Sequence, residues 1–299
     1  MLSVLLNLIL LSQTGQVPAA AVPVYVPERV YDTRRQAFAD LESMLADIAK
    51  ADVVFVGEQH DDPNTHRLEG AILDGLHRRG VSVTLSLEMF ERDTQASLDT
   101  YLAGTIGEEE FLRTSRPWPR YATDYRALVE TAKAHGWSVI ASNVPRRFAS
   151  SVAKGGLSAL DGLPPTERAW VATDLQCPRD VYFDRFSETM SEHQGADKED
   201  QRSTTERYYL SQCLKDETMA EAIAAGFERH GRKLVVHVNG AFHSDFGLGT
   251  AERVRRRLND RRVAVVSVLP VKDLDAVAPA DDDLKRADYL VYTFGESKK

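Results

Sequence analysis

An α/β fold, doubly wound around a mostly parallel central sheet, is the class this 299-residue chain predicts, and three observations predict it. Five apolar runs of strand length punctuate the sequence: VVFVG from Val53, VSVTLSLEMF from Val81, WSVIASNV from Trp137, KLVVHVNGAFH from Lys233 and VAVVSVL from Val263. Segments with apolar residues at helical spacing separate them. Glycines at positions 80 and 136 stop two of those segments just before the next strand. Such alternation is the pattern of β-α-β units, whose strands run parallel through right-handed crossovers.

Before the first strand, Phe38, Leu41, Leu45 and Ile48 recur at helical spacing within DTRRQAFADLESMLADIAKA, which predicts an amphipathic helix. After VVFVG come Asp61 and Asp62, short carboxylates suited to capping the next helix. That helix, NTHRLEGAILDGLHRRG, places Leu68, Ala71, Ile72, Gly75 and Leu76 on one face and leaves His66 and His77 on positions expected to be exposed. Beyond the second strand, helices are expected over 94–102 and 107–114. A clearer one follows in DYRALVETAKAHG, where Tyr125, Leu128, Val129 and Ala132 align. Pro145 closes the third strand. From about 146 to 231 no strand-like run occurs; the segment reads as several helices with a polar linker, HQGADKEDQRSTTE, forming an insertion or lid between the third and fourth strands. A helix with Ala251, Val254 and Leu258 inward connects the fourth strand to the fifth. RVRRRLNDRR reads as a solvated helix face and APADDDLK as a solvated loop.

With 43% hydrophobic and 27% charged residues the composition is that of a globular protein. A formal net charge of -8 offers no basic footprint for nucleic acid. Residues 2–11 form a short apolar stretch, too short for a comfortable membrane span, followed by the small residues Ala19, Ala20 and Ala21. Residues 1–21 are therefore expected to be a signal peptide and 22–299 a single exported α/β domain, in the periplasm or outside the cell, with no integral membrane span. Cys177 and Cys213 leave two readings open: one bridge, or two buried thiols.

In open parallel sheets, ligands bind outside the carboxyl ends of the strands. The first strand delivers Glu58 and His60 there, the second Glu88, the third Asn143, and the fourth Asn239 and His243. Two nearby carboxylates cannot both ionise cheaply without a cation or donor between them. Glu58, His60, Glu88 and His243 thus suit either a divalent metal such as Zn, Mn or Fe, or metal-free acid–base chemistry. Asn143 is expected to bond backbone, and His237 to be a core histidine. Asp216 falls on the apolar stripe of its helix with Tyr209, Cys213, Ala220, Ile223 and Phe227. A buried carboxylate there needs a partner, with an arginine expected first and the strand-end site second.

Five blocks in order, VGEQHDDPNTH, LEMFERDTQASLDTYLAG, WPRYATDYRALVETAKAHGWSVIASNVPRR, SQCLKDETMAEAI and VNGAFHSDFGLG, resemble the ChaN-like haem-binding uptake family, which is grouped with the Tiki proteases and erythromycin esterase-type hydrolases. The resemblance spans roughly residues 53–269. It implies an α/β domain with a helical part, export, and haem binding in iron acquisition through a tyrosine at a dimer interface. Tyr121, Tyr125, Tyr208 and Tyr209 are the candidates by position, with Arg120, Arg146 and Arg147 available to the propionates. The chain departs from the family in having AFH where a small polar residue commonly precedes the histidine, and in lacking a lipidation cysteine near the leader. Two functions follow: a haem-binding protein, or a hydrolase built on Glu58, His60, Glu88 and His243.

Overall fold

The computed structural model describes residues 27–193 and 198–295, with side chains outside 192–201; the expected leader at 1–21 lies outside the described residues. Eight strands form one sheet: β1 (Glu28–Asp32), β2 (Ala37–Ala39), β3 (Val53–Glu58), β4 (Val83–Glu91), β5 (Val139–Asn143), β6 (Leu234–Gly240), β7 (Val263–Val271) and β8 (Tyr289–Phe294). Their order is β2-β1-β8-β7-β3-β6-β4-β5. The six strands from β8 to β5 are parallel; β1 pairs antiparallel with β8 and with β2 at one edge. The helices are α1 (Leu41–Ile48), α2 (Pro63–Arg78), α3 (Gln95–Leu102), α4 (Glu108–Ser115), α5 (Arg126–Ala134), α6 (Arg146–Gly155), α7 (Pro165–Arg168), α8 (Val181–His193), α9 (Lys198–Arg229) and α10 (Gly249–Arg257). The α/β class and the parallel direction of the principal strands are as the sequence predicts.

Period-two alternation divides β3 between two cores. Val54 and Val56 pack with Leu68, Ile72, Leu73 and Leu76 of α2 and with Leu128 and Val129 of α5. Val53 and Phe55 face the other way, onto Ile223 and Phe227 of α9 and Ala251 and Val254 of α10. Burial on both faces explains why the strand is almost continuously apolar. Helices α6 and α9 share a smaller core with Phe148, Val152, Leu160 and Leu214. At the β5 edge, the Gln95 amide donates to Val139 O at 2.8 Å and accepts from Ala141 N at 2.7 Å. One side chain thus occupies hydrogen-bonding positions that an added strand would use.

Several expectations are corrected. Residues 37–39 are strand β2, so Phe38 stands 52% exposed and the helix begins only after Asp40, whose carboxylate accepts from Ser43 N at 2.6 Å. Sheet pairing with β1 overrides the local helical spacing. Residues 198–206 are not linker but the start of α9; 194–197 lie outside the described residues. β8 is a buried strand that the loop reading of the preceding acidic stretch concealed. Of the two readings left open for Cys177 and Cys213, the structure has the bridge.

The basic run of α10 is not a solvated face. Arg253 is 1% exposed and sits 3.2 Å from Glu217, itself fully buried on α9. Arg256 and Arg257 reach the same carboxylate at 2.8 and 2.5 Å. One glutamate therefore pins three arginines and ties α10 to α9. Removing one partner strands the other charge in the interior, which costs about 3–5 kcal/mol. We expect Glu217→Ala to lower unfolding stability by about that amount in urea titration, well beyond Glu228→Ala at the exposed Arg232 pair, where the effect should be below ~1 kcal/mol.

Candidate functional site

β3 and β6 are hydrogen-bonded neighbours, yet the chain leaves them in opposite directions. After β3 it enters α2 on one face of the sheet; after β6 it enters α10 on the other. The connecting loops diverge and open a crevice at the carboxyl edge, as doubly wound sheets do at such a reversal. The cleft has a volume of about 510 Å³, and Glu58, His60, Tyr182, Arg185, His243 and Arg286 are among its lining residues. The predicted quartet reaches this edge, but as two hydrogen-bonded groups rather than one chelating set.

The first group surrounds Glu58, the last residue of β3. His60 Nδ1 bonds Glu58 Oε1 at short range, and the Tyr125 hydroxyl donates to the same oxygen at 2.9 Å. His66 Nδ1 lies 3.1 Å from Glu58 Oε2 and 3.3 Å from Glu69 Oε2. The side chains come from one short segment because Asp62 caps α2, accepting from Asn64 N at 3.0 Å, with Pro63 in the first turn. Helical side chains lean toward the N-terminus, so His66 and Glu69 project back over the strand end. His66 was expected to be exposed; it is buried. The buried stripe of α2 runs through His66, Glu69, Ile72, Leu73 and Leu76, slightly rotated from the apolar face inferred earlier.

Burial pushes Glu58 up, but hydrogen bonds from His60 and His66 outweigh it and bring the carboxyl down to about 2. His66 is driven down by burial and up by Glu58 and Glu69, reaching about 10. Glu69 is raised well above the carboxylate range by burial and by the Glu58 charge.

The second group is centred on His243. Glu88 lies beyond the last β4–β6 pair, in the segment where the β4–β5 register is irregular. Its Oε2 accepts from Gly240 N at 2.8 Å, and its Oε1 stands 3.3 Å from His243 Nε2. The other ring nitrogen, Nδ1, is 2.7 Å from Asp216 Oδ1 of α9. Asp216 also accepts from Thr250 Oγ1 and the Tyr182 hydroxyl, both at 2.8 Å. The arginine expected to pair Asp216 is instead bound to Glu217, one residue on. Gly240 separates the two groups: a methyl group there would stand 2.5 Å from His60 Nε2, so a side chain would displace the histidine. Asn239 pins the turn by donating to Gly240 O at 2.8 Å and Ser244 Oγ at 3.0 Å.

The remaining predicted residues have other surroundings. Asn143 donates to Glu88 O at 3.0 Å and accepts from Val144 N, so it shapes backbone next to Glu88. Arg147 is held by Asp93 at 2.8 Å, while Arg146 is exposed at the start of α6. Arg120 binds Asp124 at 2.6 Å and the His60 carbonyl. Tyr121 packs near Phe90 and Phe111 in the core. Tyr209 is buried, its hydroxyl donating to Pro178 O at 2.5 Å. Tyr208 is 42% exposed on α9. His237 is fully buried, and burial holds it down to about 3.

Burial alone would discharge His243, but Glu88 and Asp216 outweigh burial and raise it to about 10. The stabilisation from this raised group is fully present below the unfolded histidine value of about 6.5 and is lost as pH rises through about 10. We expect side-chain NMR to find His243 doubly protonated at pH 7. Asp216→Asn should lower its midpoint by roughly 1–3 units.

The profile described as "Haem-binding uptake, Tiki superfamily, ChaN" matches residues 44–254. Among solved structures, one described as "Cofacial heme binding to ChaN of Campylobacter jejuni" superposes with a TM-score of 0.65 at 18% identity, covering 90% of this chain and 97% of that one. A succinoglycan biosynthesis protein gives 0.50 at 10% identity, covering 84% and 90%. An erythromycin esterase mutant in its open conformation gives 0.45 at 12% identity, covering 81% and 77%. The first of these likenesses establishes the fold. No curated protein matches the chain. The family profile spans more than half of the sequence, and on that ground the chain belongs to the ChaN-like haem-binding uptake family of the Tiki superfamily.

Proposed function

We propose that the chain is an extracytoplasmic haem-binding protein associated with iron uptake. The observation that carries this reading is the family match over residues 44–254. The described surface is compatible with it. An exposed haem site needs an axial ligand and apolar surface for the porphyrin. Tyr208 and Val181 are among the exposed large apolar side chains, and they lie on α9 and α8. Those two helices pack together through Tyr209, Phe183 and Phe186. Of the four candidate tyrosines, Tyr121, Tyr125 and Tyr209 are buried, which leaves Tyr208 as the phenolate available to iron at a surface shared between two copies of the chain. The disulfide between Cys177 and Cys213 supports export, because such bonds persist in oxidising compartments.

One observation favours a second activity in the cleft. His60 is 44% exposed at its side chain while Glu58 behind it is fully covered. A carboxylate that orients a half-open imidazole is the arrangement of a general base. A hydrolase reading would use Glu58 and His60 to activate water, with Glu88 and His243 completing the site.

Haemin titrated into the protein should develop a shifted Soret band that saturates at a defined ratio. Tyr208→Phe should abolish the shift and His60→Ala should preserve it. Binding no tighter than to an unrelated protein would end the haem reading; ester or amide turnover lost in Glu58→Gln would then establish the second.

A further inference from the structure

Neither haem binding nor the Glu58–His60 pair accounts for the buried side of the first group. His66 Nε2 faces two acceptors, the His60 carbonyl at 3.3 Å and Asp124 Oδ2 at 3.5 Å. Those contacts place a proton on Nε2, which in a neutral imidazole leaves a lone pair on Nδ1. Nδ1 in turn points at two more acceptors, Glu58 Oε2 at 3.1 Å and Glu69 Oε2 at 3.3 Å. With the imidazole neutral, three acceptor atoms converge, and either a proton or a cation must lie among them. Two further observations favour the cation. Glu69 Oε1 is sealed from solvent without a hydrogen-bond partner, and Glu58 Oε2, equally sealed, has only the His66 contact, which is costly for a carboxylate. And one ligand atom from each of the three residues lies within 4.8 Å of the others, the group of this kind among the described residues. Tetrahedral zinc with bonds of about 2.0–2.2 Å spaces its ligand atoms about 3.3–3.6 Å apart, close to the 3.1 and 3.3 Å that separate His66 Nδ1 from the two carboxylates.

We propose that Glu58, His66 and Glu69 form a buried divalent-cation site of the zinc, manganese or iron class beneath the cleft, separate from the Glu88–His243–Asp216 group. The imidazole and carboxylate set suits a borderline transition metal. Asp124 and the His60 carbonyl take the outer role usual for a metal-bound histidine, holding the far ring nitrogen and fixing the tautomer. Glu58 then joins the two levels of the site. Its Oε2 faces the cation position, while its Oε1 holds His60 and the Tyr125 hydroxyl at the cleft. A cation here sets the orientation of His60 without touching ligand in the cleft.

The test uses the full haem-free chain, purified without a histidine tag, stripped by chelator and titrated with Co²⁺ and then Zn²⁺. Cobalt absorption in the visible and elemental analysis should both give one equivalent, and zinc should raise the thermal midpoint. Glu69→Gln and His66→Gln should each weaken cobalt binding at least ~10-fold, whereas His243→Ala should retain it. Should those two variants fail to fold, X-ray absorption of zinc-loaded wild type decides: one imidazole among oxygen ligands supports the site, and two imidazoles place the metal elsewhere. Loss of cobalt in His243→Ala with retention in Glu69→Gln would overturn the proposal. So would the absence of any stoichiometric cation, which would leave a proton on His66 as the bridge. Haemin binding is read separately in Glu69→Gln, so failure of the cation site and failure of the haem reading are distinguishable.

Discussion

Four buried carboxylates, Glu58, Glu69, Glu88 and Asp216, meet three imidazoles at the carboxyl edge of the sheet, and the mutual neutralisation of these charges is the constraint on which the site depends. None of the four carboxylates is tolerable alone in that interior. Each histidine is therefore fixed in place by at least one acid; Glu58, Glu88 and Asp216 are held by donors from other elements, and Glu69 by His66 of its own helix. The arrangement binds β3, β4, β6, α2, α9 and the start of α10 into one object. A rigid polar floor follows from the electrostatics rather than from apolar packing.

That floor is organised by a backbone feature. Gly240 lies beside Glu58 in the β3–β6 register, gives its N–H to Glu88, and leaves room for the His60 ring above it. A residue without a side chain lets two charged groups approach from either side while remaining distinct. Glu58 and His60 belong to the open side; Glu88, His243 and Asp216 form the closed side, where Tyr182 and Thr250 complete the hydrogen bonding of Asp216. Haem carried at the α8–α9 surface would share α8 with chemistry in the cleft, since Tyr182 and Arg185 of that helix line it. The fold supports both without requiring either, as folds of this class do.

Much of the fold was legible because apolar periodicity is a local property. Val53–Glu58 and the strands at Val83, Val139, Leu234 and Val263 were readable as continuous apolar runs. β1 and β2 were not: β2 is a three-residue edge strand with no buried residue, and β1 is short and carries polar residues. The site was legible in part. Glu58, His60, Glu88 and His243 stand where apolar runs end, so parallel direction alone brings them to one edge. His66 and Glu69 escaped because a small rotation of the inferred α2 face turns a buried pair into a solvated one. Their spacing, i and i+3 on the stripe that continues through Ile72 and Leu76, was the available signal.

By itself, the sequence determined the α/β class, the direction of the principal strands and the edge to which the polar residues go. Strand alternation and helix spacing are written in neighbouring residues, and they leave few topologies open. Only the tertiary structure decided who partners whom: His243 with Asp216 rather than Asp216 with an arginine, and Glu217 rather than solvent for Arg253, Arg256 and Arg257. Those pairings join residues many positions apart, and they depend on how α9 is rotated against α10 and the sheet. A turn of roughly 100° per helical residue separates Asp216 from Glu217. That single step sends one carboxylate to the carboxyl edge of the sheet and the other to the arginines.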